Sequence, residues 1–131
     1  MEWLENPDYS ELSFGLKSSK RKNMSEVVLV DERSGADSRR IWASLDVNGN
    51  LVISGQDIGP KVERFFGSTE YEFSHTVPVA YLTAFFDLLG VDKFQDPILA
   101  LRRFGGQNYE KLSDALEQAK EIIPISFWSR H

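Results

Sequence analysis

Residues 45–77 read LDVNGNLVISGQDIGPKVERFFGSTEYEFSHTV, and this stretch decides the fold. Asn48-Gly49 lies between two apolar runs, 39–45 and 51–54. Both positions of such a turn tolerate positive φ, so the pattern predicts a β-hairpin. Pro60 stands where a first helical residue belongs, because its missing N–H loses nothing there. Val62, Phe65 and Phe66 then follow at i, i+3 and i+4, one apolar stripe of a short helix. Gly67 closes that helix in the left-handed conformation that glycine adopts cheaply. Beyond it Tyr71, Phe73, His75 and Val77 alternate with Glu70, Glu72, Ser74 and Thr76, the period of a half-buried strand with an acidic outer face.

Working outward, the period of two recurs upstream. Residues 12–17 alternate, 18–25 read as a polar loop, and 26–31 (EVVLVD) are β-branched enough to predict a strand buried on both faces. Residues 32–38 read as a turn or loop. Residues 1–11 form an N-terminal arm or helix whose Trp3, Leu4 and Tyr9 suit docking on the body. Downstream the period becomes helical. Pro78 opens a helix with Val79, Leu82, Phe85, Phe86 and Leu89 inward, stopped by Gly90. A second helix is predicted over 96–104. A third starts after Asn108, a good N-cap, and turns Tyr109, Leu112, Ala115, Leu116, Ala119 and Ile122 to one side before Pro124. The tail ISFWSR has strand character. The fold class expected is α+β: one domain over 1–131, an antiparallel β-meander of about five strands with helices packed on one face.

Composition narrows the function. The 131 residues carry a net charge of −5 and no cysteine, with 27% charged residues. No apolar run approaches the roughly 20 residues that span a bilayer. The acidic start lacks the order of a signal peptide, and the absence of thiols suits a reducing cytoplasm. An acidic chain is a poor general nucleic-acid binder, because phosphate affinity comes from Lys and Arg. It suits a basic protein partner better.

Candidate chemistry is sparse. Asp46, Asn48, Asn50 and Asp57 match positions 1, 3, 5 and 12 of a calcium loop. Leu51 stands where that loop needs glycine, though, and Asp57 where it needs glutamate. A hairpin turn is the simpler reading, and no metal or other cofactor is expected. Asp57, Glu63, Glu70 and Glu72 gather around the short helix. Paired carboxylates can do acid–base work, but Asp57 before a helix start is explained by the dipole. Glu70 and Glu72 share a sheet face as a partner-facing patch. His75 falls on the apolar side of its strand and reads as a hydrogen-bonded core or edge histidine; His131 reads as mobile. Gly55 and Gly59 flank Gln56-Asp57-Ile58 as a turn, where Asp57 disfavours a phosphate. Nucleophile-elbow, P-loop and dinucleotide signatures are absent. Lys17, Lys20, Arg21 and Lys22 form a basic loop, read as a solvated hairpin tip. Trp42, Tyr71, Phe127 and Trp128 are binding hot spots wherever they stay exposed.

The residues Asn48-Gly49-Asn50-Leu51-Val52-Ile53, Gly55-Gln56-Asp57-Ile58-Gly59, Phe66-Gly67, Glu70-Tyr71-Glu72, Ile123-Pro124 and Phe127-Trp128-Ser129-Arg130 together form a fingerprint over roughly 40–130. It resembles a family of small bacterial proteins that look like cognate immunity proteins of toxin systems, including contact-dependent growth inhibition. That resemblance implies a cytoplasmic inhibitor that binds one toxin domain one to one, often a nuclease, and blocks its active site. The partner-binding residues expected are Asp57, Glu63, Glu70, Glu72 and Trp128, with no catalytic residues, no nucleic acid and no membrane. Two rival readings are a small enzyme using Asp57, Glu70 or Glu72 near His75, and a structural or regulatory homo-oligomer.

Overall fold

The computed structural model describes residues 26–131. The expected N-terminal arm, the strand over 12–17 and the basic loop over 17–22 lie outside the described residues. Five strands form one antiparallel sheet in chain order: β1 (Glu26–Ser34), β2 (Asp37–Leu45), β3 (Leu51–Ile58), β4 (Glu70–Val77) and β5 (Ser126–Arg130). Four helices join them: α1 (Pro60–Phe66) between β3 and β4, then α2 (Leu82–Leu88), α3 (Pro97–Leu101) and α4 (Tyr109–Ala119) between β4 and β5. This is the expected α+β meander with helices on one face.

Strand alternation sorts the side chains. Ile41 and Ala43 on β2, Leu51 and Ile53 on β3, and Val77 on β4 point to one side. There they are buried beneath Leu82, Phe85 and Phe86 of α2, Ile98 and Leu101 of α3, and Leu112, Ala115, Leu116 and Ala119 of α4. The other side of the sheet carries no described helix in that core.

Several local readings change. In β1, Val28 is exposed while Leu29 and Val30 are both buried. A bulge between Val28 and Val30 turns two consecutive residues inward, so the apolar run reflects the bulge rather than burial on both faces. Residues 32–38 are not a loop. β1 runs on to Ser34, which pairs with Asp37 across a two-residue turn with Gly35 at φ 62°. This end of the hairpin reaches past the core, so both its faces are polar and the alternation is invisible in the sequence. Residues 56–58 likewise continue β3 instead of turning.

The helix signals fare better, with exceptions of detail. Gly67 closes α1 at φ 74°, and Asp96 caps α3 by accepting from the N–H groups of Ile98 and Leu99. Asn108 precedes α4 without capping it; its side-chain amide donates to the Arg103 carbonyl. Val79 is half exposed in a 3₁₀ turn before α2, and Ile122 lies outside while Ile123 is buried.

Candidate functional site

The pairing register shows which expected site residues meet. One row crosses all five strands on the side away from the helices: Val28, Trp42, Ser54, Ser74 and Trp128. The next row runs Asp31, Arg40, Gln56, Glu72 and Arg130, with Glu70 one step further along β4. The open face is therefore a floor of two serines between two tryptophans, bordered by a mixed-charge row. Three strand intervals separate Trp42 from Trp128, roughly 14 Å at ~4.8 Å per interval.

The bordering groups are held in place. The Gln56 side-chain amide donates to Glu70 and, at 3.5 Å, to Glu72. Arg130 donates to the other oxygen of Glu72 at 2.7 Å. Two guanidinium groups lie over the tryptophans, Arg40 at 5.7 Å from the Trp42 ring centroid and Arg130 at 5.9 Å from that of Trp128. The acidic patch is thus partly neutralised by its own arginine. Trp128 is 51% exposed at the sheet edge, next to the still more exposed Arg130, and Trp42 is half-buried.

Of the five expected binding residues, Glu70, Glu72 and Trp128 come together on this face. Asp57 does not. It points to the helix side, where its two oxygens accept from Nε and Nη2 of Arg39 at 2.9 and 3.0 Å. That bond, ahead of the opposing effect of burial, raises the arginine further above its already high range. The acid at the start of α1 is instead Asp37, which accepts from the Lys61 N–H at 3.0 Å. Asp57 is nearer in sequence, but β3 carries its side chain toward Arg39. Glu63 sits in the first turn of α1, away from the open-face rows.

The enzymatic constellation does not assemble. Glu70 and Glu72 lie on the face opposite His75. Asp57 pairs with Tyr71, four residues from His75 along β4, a separation of roughly 13 Å at ~3.3 Å per residue. His75 is 9% exposed, in the core as expected, and among the described residues its Nδ1 has no hydrogen-bond partner. Its ring packs among Phe73 and Phe127. Burial, reinforced by Lys120 and partly offset by Glu117, lowers its pKa from the ordinary 6.5. The ring of His131 lies 5.1 Å from that of Phe66, which stacks on Tyr71.

The calcium pattern dissolves as well. Asp46 accepts from the backbone N–H groups of Asn48 and Asn50 and from the Asn50 side chain. These bonds, the Asn50 side chain foremost, hold its carboxyl below the usual range. Asn50 in turn accepts from the Val79 N–H. Among the described residues, no group of three or more His, Asp or Glu is placed to hold a metal ion. No described helix is long and apolar enough to cross a membrane, which says nothing of a β-barrel.

Gln56 and Arg130 belong to the sequence fingerprint but were given no binding role, and Arg40 was not named at all. A signal was nonetheless present. Once the Asn-Gly hairpin pairs Leu45 with Leu51, counting back sets Trp42 against Ser54 and Arg40 against Gln56. A concavity of about 680 Å³ lies between the β1–β2 hairpin and α1, where Phe65 is 82% exposed. Compared with protein-family models, with curated proteins and with solved structures, the chain matches none.

Proposed function

We propose that this chain is an inhibitor that binds one partner protein through the open face of its sheet, in the manner of an immunity protein that neutralises a cognate toxin domain. The observation that supports this is the row of Trp42, Ser54, Ser74 and Trp128, two large aromatics flanking two serines on a sheet face that carries no helix among the described residues. Tryptophan and arginine are the residues that dominate protein interfaces, and each tryptophan here has an arginine beside it. The toxin identity comes from the sequence resemblance, as does the cytoplasmic, one-to-one mode of action. Glu70 and Glu72 keep a role as the acidic border that steers a basic partner. Asp57 and Glu63 drop out of the face, because one is locked to Arg39 and the other belongs to α1.

The test is co-expression with the product of the adjacent gene, followed by titration of the purified pair. Trp42→Ala and Trp128→Ala should each weaken binding about 30-fold, the scale of a hot spot, chiefly through faster dissociation. The double reversal Glu70→Lys with Glu72→Lys should chiefly slow association and flatten its salt dependence. Unchanged affinity in both tryptophan variants, with folding intact, overturns the assignment of this face.

A further inference from the structure

The two edges of the sheet are built differently. β1 is broken by its bulge and carries Glu26, Asp31, Glu32 and Arg33. Bulges and charges of this kind discourage strand addition. β5 pairs with β4 without a break, is exposed at all five positions, has no proline and bears a single charge, Arg130. No described strand pairs with its outer side. We propose that this outer edge pairs with β5 of a second copy of the chain, antiparallel about a two-fold axis at Trp128.

The register identifies the occupant. A sheet that continues with both sets of helices on the same side must pair residues that share a face. Among such antiparallel registers, centring on Trp128 engages all five residues of β5. It sets Trp128 against Trp128 of the second copy, Phe127 against Ser129, and Ser126 against Arg130. No like charges meet, and the aromatic pair falls at the centre, as favoured across strands. The strand is thus complementary to itself. The contact is isologous and closes on itself, so it uses up the edge and cannot propagate into a fibre. The result is a sheet of ten described strands whose two open faces join. This goes beyond partner binding, since each protomer would still offer its own Trp42 and Trp128.

The absence of cysteine makes the register directly testable. Trp128→Cys places one thiol from each copy across the axis, with Cβ atoms about 4.5–5.5 Å apart, close enough for mild oxidation to link them. Ser126→Cys places its thiols roughly 13 Å apart, four residues along the strand. The expected result is a covalent dimer from Trp128→Cys and none from Ser126→Cys. The unmodified chain should sediment at twice the chain mass at high concentration. Ser126→Arg sets like charges across the junction and should weaken self-association at least tenfold while leaving the circular dichroism unchanged. A single-chain mass at every concentration, equal linking at both positions, or an unaffected Ser126→Arg variant overturns the proposal. A monomer that still binds the neighbouring gene's product through its tryptophans refutes the pairing and leaves the proposed function standing.

Discussion

Gly59 shows how much one backbone position can carry. It sits at φ 131°, and a Cβ there would lie 2.6 Å from the Ala36 carbonyl oxygen and 2.5 Å from the Asp37 carboxylate. Neither strain nor clash can be relieved without moving the β1–β2 turn that docks on α1. Gly59→Ala should therefore destabilise the fold by about 1–3 kcal/mol, read as a lower urea midpoint at unchanged slope. Gly55 differs: its φ is ordinary, but a Cβ would lie 2.2 Å from the Phe73 ring, which lies across it. The sequence marks both as turn glycines. The true reason at each is a neighbour on another strand, which local pattern does not contain. His75 makes the corresponding prediction for pH. Its folded pKa is lowered, so the unfolded chain takes up the proton more readily. Its contribution to stability is complete above the ordinary value of 6.5 and lost as pH falls from there toward the folded-state value. Denaturant midpoints measured across that window should drop, and His75→Phe, which fills the aromatic site without titrating, should abolish that part of the drop.

At the scale of elements, signals confined to a few consecutive residues were legible. The Asn-Gly hairpin, Pro60 and Gly67 act where the pattern put them, and the helix predicted from 96 starts at Pro97 with Asp96 as its cap. Asp96→Ala should cost about 1 kcal/mol, the usual loss of a capped helix start. Asp37 was not legible as the acid at the head of α1, because it arrives through the hairpin register from 24 residues before Lys61. Asp37→Ala should also cost about 1 kcal/mol, whereas Asp57→Ala should leave α1 intact and release Arg39. Hydrogen exchange at the Lys61 amide separates the two, rising only in the Asp37 variant. The bulge in β1 was illegible for another reason. A run of valines and leucine fits a doubly buried strand as well as a kinked one, and only the pairing with Trp42 and Ile41 distinguishes them.

For the whole molecule, the fold class was readable because period, caps and stops agree with one another. The candidate site was half readable. Alternation correctly placed Glu70 and Glu72 together. Joining them to Trp42 and Trp128 needs three successive strand registers, and one of those brings β5 back after three helices. Charge misled in the same way, since the sequence counts Glu72 as free while the sheet sets Arg130 beside it.

That late return has a consequence for synthesis. Among the described strands, β1 to β4 pair in chain order, β1–β2 and β2–β3 over short loops and β3–β4 over α1, so these pairings can form early. The partner of β4 comes after residues 78–125. While the chain is being made, β4 therefore waits without β5 along its outer edge until residues 126–130 emerge, and that interval is a vulnerable moment in the life of this protein.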